Sequence, residues 1–264
     1  MTVINWVLRS RSGRALLGFL LFYVGFGVFL FFFQERLLYH PPSYTFDTCP
    51  LLPEARVERV NGTRLFVEDV SDKVLVIYQG NAGTVCDRAV YAEAAKEAGW
   101  GYILVSYTSY GDGGPRTTHE SIRADVRNAV SYLEEKAYTE VRVLGESIGS
   151  GVAGYHVTLL PPTALLLITP FDTLENVARH HYWFYPTSLM VQEAYGTAEN
   201  LREYKGRVTI VHGTDDAVVP YERGKALYES LETSEKMLVT VEGANHNDLW
   251  LYESPEAVIK EFLK

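Results

Sequence analysis

From Ala15 to Phe33 the chain reads ALLGFLLFYVGFGVFLFFF, 19 residues without a charged side chain, Asn or Gln. A stretch apolar on every side has no polar stripe to turn to water, unlike the half-buried helix of a soluble core. As a helix it rises about 28 Å at 1.5 Å per residue, close to the hydrocarbon thickness of a bilayer. It predicts a transmembrane anchor. The competing description, a cleaved secretory signal, has an apolar region of ~7–15 residues and a small-x-small cleavage site. Here Gln34-Glu35-Arg36-Leu37 follows instead. An uncleaved signal-anchor is the better description.

Past the anchor the pattern changes twice. Residues 34–55 carry Pro41, Pro42, Pro50 and Pro53 and predict a juxtamembrane linker, with Leu37, Leu38 and Tyr39 suited either to the membrane interface or to packing on the body. From Arg56 onward short apolar runs alternate with amphipathic stretches. Arg56–Val60 and Arg64–Asp69 flank Asn61-Gly62, the pair that supplies both positive φ angles of a type I′ hairpin turn. Continuous apolar runs then recur at Val74–Gln79, Tyr102–Ser106, Val141–Leu144, Ala164–Ile168, Val208–His212 and Met237–Val241, as expected of strands buried on both faces. Helical spacing appears in Val85–Ala98, Thr118–Lys136, Ser147–Leu160, Tyr221–Leu231 and Pro255–Leu263. A hairpin followed by strand–helix alternation predicts an α/β fold, an eight-stranded and mostly parallel sheet with helices on both faces. The domain organisation is then a basic flank (1–14), the anchor (15–33), the linker (34–55) and one α/β body (56–264).

Composition sharpens this. The chain has 264 residues, 47% of them apolar, and a net charge of −9. Disorder is excluded, and the acidic balance argues against nucleic acid as a partner. Residues 1–40 carry Arg9, Arg11, Arg14 and Arg36 against Glu35, a balance of +3, which leaves −12 for the remainder (20 basic against 32 acidic). Three arginines before the span predict a cytoplasmic N-terminus and an extracytoplasmic body, periplasmic or lumenal. Cys49 and Cys86 are too few for a disulfide scaffold or a cysteine zinc site. Whether they pair is open.

In sheets of this kind active sites lie at the C-terminal ends of the strands. After the fifth strand stands Gly145-Glu146-Ser147-Ile148-Gly149, a G-x-S-x-G string in the strand–turn–helix context that lifts a serine hydroxyl above the sheet. Such a serine needs a base, and the base an orienting acid, in the chain order Ser, acid, His. Of the seven histidines, His180, His181, His212 and His246 follow Ser147 at sufficient distance. His246 lies in a small-residue loop directly after the eighth strand and is the best-placed base. Asp215 and Asp216, after the seventh strand, both suit the acid's role, and spacing does not separate them. His212 beside them is expected to be structural; with no second His or Cys at ligand spacing, a metal site is not expected. The oxyanion of an acyl-transfer transition state needs two N–H donors. Ile148, after the nucleophile, supplies one, and Asn81, in Gln79-Gly80-Asn81-Ala82-Gly83 after the third strand, is the natural source of the other. The turn Ser106–Pro115 after the fourth strand flanks the site and brings Tyr110 towards substrate.

Together, Gly80 through Gly83, Tyr107 through Gly111, Gly145 through Gly149, Thr169-Pro170-Phe171, Asp215 through Pro220 and Gly243 through Leu249 resemble the α/β-hydrolase superfamily. The pattern is most similar to single-span, membrane-anchored α/β-hydrolase-domain serine hydrolases, a group that includes depalmitoylases. In that group's H-G-T-x-D-x-x-V-P pattern the acid is the fifth position, which the resemblance assigns to Asp216. Two departures are visible: Gln79 stands where His is usual before Gly80, and Ser106-Tyr107-Thr108-Ser109 where Asp-Tyr-Arg-Gly is usual.

Residues 171–205 leave the strand–helix rhythm where the superfamily places its cap. Trp183, Phe184, Tyr185, Leu189 and Met190 there are expected either to receive an acyl chain or to pack the cap onto the body. The resulting expectation is a serine hydrolase of ester or thioester bonds, with Ser147, Asp216 and His246 catalytic. It would act on acylated small molecules, lipids or lipidated proteins, as a lipase, lysophospholipase or depalmitoylase does, and need no metal or organic cofactor. A peptidase of the same fold and a non-catalytic membrane-tethered scaffold are the alternatives.

Overall fold

The computed structural model describes residues 10–192 and 195–264. Arg9, part of the predicted basic flank, lies outside the described residues. Eight strands form one sheet: β1 (Arg56–Val60), β2 (Thr63–Glu68), β3 (Lys73–Tyr78), β4 (Gly101–Ser106), β5 (Glu140–Glu146), β6 (Ala164–Ile168), β7 (Arg207–Gly213) and β8 (Lys236–Val241). Their spatial order is β1-β2-β4-β3-β5-β6-β7-β8. Only β2 runs against its neighbours; β4 through β8 pair in parallel. The β1–β2 turn has Asn61 at φ +48° and Gly62 at +95°, as the Asn-Gly pair predicts.

Helices cover both faces. On one, α3 (His119–Lys136), α4 (Ile148–Leu159) and α8 (Tyr221–Ser230), the last over β7 and β8, bring Val126, Val152 and Leu227 into one buried cluster with Val74, Val76 and Tyr78. On the other, α2 (Ala89–Glu97) and α9 (Pro255–Phe262) pack Ala92 and Ile259 against Leu75 and Ile77. This division follows the period-two alternation of β3. The helix starts are chemically marked. Thr118 caps α3 through the Ser121 N–H at 3.0 Å, and Ser254 caps α9 ahead of Pro255.

The N-terminal helix α1 spans Arg11–Leu38, longer than the predicted anchor at both ends. Five residues of the predicted linker are therefore helical. Gln34, Glu35, Arg36, Leu37 and Leu38 are sound helix formers, and nothing interrupts them before the Pro41-Pro42 pair. The helix is long and apolar enough to cross a bilayer, with Phe19, Leu21, Phe22 and Phe32 exposed along it. Tyr39 packs into the body. Cys49 and Cys86 are joined by a disulfide, which ties the linker to the segment after β3.

Residues 171–205 contain three short helices, α5 (Leu174–His181), α6 (Thr187–Met190) and α7 (Thr197–Asn200). The cap made of the first two lies against α1. The Tyr23 and Tyr185 rings stack at 4.5 Å, and each hydroxyl donates to a backbone carbonyl across the contact, Tyr23 to Phe184 and Tyr185 to Tyr23, both at 2.6 Å. Gly27 permits this approach: a Cβ there would lie 2.9 Å from Tyr185 Cε1. Further along, Gln34 donates to the Met190 carbonyl and accepts from the Gln192 N–H.

Candidate active site

The turn from β5 into α4 is built on backbone strain. Ser147 sits at φ +54°, ψ −118°, a region that L-residues rarely occupy. Glycines on either side leave room for it. A Cβ at Gly145 would collide with the Gly149 carbonyl, and one at Gly149 with the Tyr78 and Gln79 carbonyls. The Ser147 N–H donates to the Ile168 carbonyl at 2.8 Å, fastening the turn to β6.

Three side chains from three strand ends meet there. His246 Nε2 lies 3.0 Å from Ser147 Oγ, and His246 Nδ1 lies 2.7 Å from Asp216 Oδ2. Asp216 is buried, and its other oxygen, Oδ1, accepts the N–H groups of Val218 and Val219 at 2.9 and 2.7 Å. Burial alone would raise its pKa, but hydrogen bonds from His212 and His246 outweigh it and hold the carboxyl well below the usual carboxylate range. Asp215, the residue that spacing left in competition, points to solvent and accepts only from Thr214. The structure thus brings together Ser147, Asp216 and His246.

His212, expected to be structural, has a second partner. Fully buried, its Nε2 lies 3.0 Å from the Val219 carbonyl and 3.2 Å from Asp216 Oδ2, the same oxygen that His246 meets, so it helps to fix the acid. Gly224 on α8 makes its place, since a Cβ there would strike the ring.

Ile148 is the first residue of α4, where the N–H has no acceptor within the helix. Asn81 lines the same cleft as Ser147 and is held from three directions. Its side chain donates to the Leu38 carbonyl at 3.0 Å, while its own carbonyl accepts the His40 N–H at 3.0 Å and the Tyr110 hydroxyl at 2.6 Å. Tyr107 donates to the Gln79 carbonyl in the same loop. Gln79 therefore sits in a loop that two tyrosines of the turn after β4 brace, one of them, Tyr107, within the Ser106–Ser109 departure.

The cleft has a volume of about 220 Å³ and a polar wall that sequence reasoning missed. Arg88 forks onto Glu146, with Nε at 3.2 Å and Nη2 at 2.5 Å from its two oxygens. Tyr91 donates to Glu146 and accepts from the Trp250 indole. Glu146 was visible as the residue before Ser147, but nothing local links it to Arg88, 58 positions away.

The expected substrate contacts fare differently, and none of them lines this cleft. Tyr110 is fully buried and supports Asn81 instead. Trp183 and Leu189 are 78% and 80% exposed, and Phe184 is exposed beside them. Tyr185 and Met190 line a separate cavity of about 470 Å³. Of the cap aromatics, Tyr185 stacks on Tyr23 of α1, Phe184 packs against Tyr185, and Trp183 meets Phe184.

No protein-family model matches the chain. It is 29% identical over 240 residues to the uncharacterized protein Rv2307c of Mycobacterium tuberculosis, covering 85% of each chain. It is 26% identical over 274 residues to the lysophosphatidylserine lipase ABHD12 of Gallus gallus, covering 87% of this chain and 71% of that one. Among solved structures it is similar to the Pyrococcus furiosus esterase Pf2001, with TM-score 0.68, 18% identity, and 86% and 96% of the two chains covered. It is also similar to ferulic-acid-bound Est1E of Butyrivibrio proteoclasticus, with TM-score 0.64, 19% identity, and 79% and 98% covered. The chain has the α/β-hydrolase fold, and its resemblance to that superfamily extends from the sequence motifs to the whole sheet.

Proposed function

We propose that the protein is a membrane-anchored serine hydrolase that cleaves carboxylic ester or thioester bonds of acylated or lipid substrates. The observation that carries this reading is the hydrogen-bonded chain Ser147 Oγ–His246 Nε2 and His246 Nδ1–Asp216 Oδ2, at 3.0 and 2.7 Å. In the mechanism, Ser147 attacks the substrate carbonyl carbon as its proton passes to His246 Nε2. Asp216 holds the imidazole in the tautomer that can take that proton and balances the charge that develops on it. The N–H groups of Asn81 and Ile148 receive the oxyanion. His246 then protonates the leaving group, an acyl-enzyme remains on Ser147, and water attacks it by the same route in reverse. Every one of these groups comes from the chain itself.

The esterases and the lysophosphatidylserine lipase among the similar proteins support ester chemistry. Helix α1 supports a substrate drawn from the bilayer, and the excess of arginine before it supports a cytoplasmic N-terminus with the body on the other side. The test is hydrolysis of matched oxyesters and thioesters, two to sixteen carbons long, by the full chain and by Ser147→Ala. Turnover that falls at least about 10⁴-fold in the variant is expected. Turnover unchanged by the substitution would overturn the reading.

A further inference from the structure

The cavity of about 470 Å³ is more than twice the volume of the Ser147 cleft, and a large part of its wall is the N-terminal helix. Leu30, Leu37 and Leu38 on α1 face Leu174, Val177 and Ala178 on α5. Five residues with polar side-chain groups also line it: Tyr182 is exposed, Tyr185 donates to the Tyr23 carbonyl, and Gln34, Thr187 and His181 each have a partner. The Gln34 amide donates to the Phe31 and Met190 carbonyls and accepts from the Gln192 N–H. The Thr187 hydroxyl donates to Glu175, and His181 Nε2 is engaged by the Val218 carbonyl. With Gln34, Thr187, His181 and Tyr185 engaged and Tyr182 open to solvent, the interior of the cavity suits an occupant without hydrogen-bonding atoms, since burying polar ones there would cost their hydration without return.

Its position narrows the occupant further. At one end Ala217 and Val218 belong to the wall, the two residues that follow Asp216, and Val218 N–H donates to the Asp216 carboxylate. At another, Leu38 accepts the side-chain hydrogen bond of Asn81, which lines the Ser147 cleft. One hydrogen bond therefore links a residue of the cavity wall to a residue of the cleft wall. On the outer side Leu37, Tyr182 and Val218 are exposed, and Phe184 and Leu189 extend the apolar surface beside α1.

We propose that this cavity binds the hydrocarbon tail of the ester, with its carbonyl at Ser147, so that the membrane anchor is itself one wall of the acyl-binding site. The proposal rests on the reading of Ser147 as nucleophile. The chain enters along α1 without crossing water, and the polar wall of the cleft, Arg88, Glu146 and Asn81, is left to the head group. Chain-length preference is then set by α1 and α5 rather than by the exposed aromatic tip of the cap.

The test fills the cavity from either wall, with Ala178→Trp on α5 and Leu30→Trp on α1, in the full chain reconstituted in detergent–lipid micelles. The ratio of kcat/KM for a sixteen-carbon to a four-carbon 4-nitrophenyl ester is expected to fall about tenfold or more in each variant, because several methylenes lose their apolar surroundings. Loss of both activities in equal proportion, or an unchanged ratio, in both variants would overturn the proposal. A binding measurement keeps it separate from the chemistry. Ser147→Ala protein is expected to bind palmitate, and the Ser147→Ala/Ala178→Trp double variant to bind it at least tenfold more weakly. Binding that the second substitution does not weaken would overturn the acyl site even where Ser147-dependent hydrolysis stands. Palmitate binding blocked by Ala178→Trp, in a chain whose hydrolysis ignores Ser147, would keep the site and remove the nucleophile.

Discussion

Ser147 holds a positive φ, and two glycines that cannot carry a Cβ allow it to do so. The same economy governs the acid. Asp215 and Asp216 are neighbours in sequence and chemically identical, yet one faces solvent while the other is buried, accepts hydrogen bonds from Val218, Val219 and His246, and has His212 Nε2 at 3.2 Å. A carboxylate so provided for orients an imidazole without being protonated by it. Asp216→Asn removes the acceptor that fixes the His246 tautomer and is expected to lower kcat by about 10³–10⁴-fold. Asp215→Asn is expected to leave it within about twofold. Steady-state kinetics of the two variants on one ester distinguishes them, and equal losses would mean that the carboxylate pair acts through the loop rather than through His246.

Between elements, the packing of α4 on β3 sets how the body responds to acid. His156, on α4, is wholly buried, and its Nδ1 lies 2.8 Å from the Tyr78 hydroxyl of β3. Burial pushes its pKa down to about 3, so the folded protein holds the ring neutral. In the unfolded chain it protonates near 6.5. Between those values the unfolded state binds the extra proton, so stability is complete above about pH 6.5 and falls as the pH drops towards 3, by about 1.4 kcal/mol per unit from this group. His156→Gln keeps an acceptor for Tyr78 but does not titrate. Denaturant midpoints at pH 7 and pH 5 are expected to differ more in the wild type than in the variant; equal differences would remove His156 from the acid limb. The helix itself was legible in sequence, as were the strands, because each is marked by residues within a few positions of it. Ser147, Ile148, Asp216 and His246 were legible for a related reason, since each stands directly after a strand whose period the sequence displays. Tyr110 misled because its neighbours in the turn say nothing of Asn81, 29 positions away, which its hydroxyl supports. The contact of the cap with α1 was not legible, because Tyr185 meets Tyr23, 162 positions earlier, and no periodicity encodes a contact of that range.

At the scale of the molecule, charge and redox chemistry make one joint prediction. The flank that begins α1 is basic, whereas the residues beyond 40 carry 20 basic against 32 acidic side chains. By the positive-inside rule the flank is expected to stay in the cytoplasm, which would put the body across the membrane. The disulfide between Cys49 and Cys86 lies in that body, between the linker and the segment after β3, and bonds of this kind persist in oxidising compartments and are rare where glutathione keeps thiols reduced. Sidedness is therefore readable from the cysteines. Cells producing the full chain, quenched in acid and denatured with an alkylating polymer, are expected to yield protein with no label, and protein with two labels once a reductant precedes the alkylation. Denaturation is needed because Cys49 is buried and would escape the reagent in the folded state whatever its oxidation. Two labels without reductant would place the body in a reducing compartment. The arginines would then be overruled as a topogenic signal, and the tail-binding cavity would open to the cytoplasmic leaflet. One label would mean that a cysteine is engaged with another molecule, and the Cys49–Cys86 link would not be the bond that fastens the linker to the body.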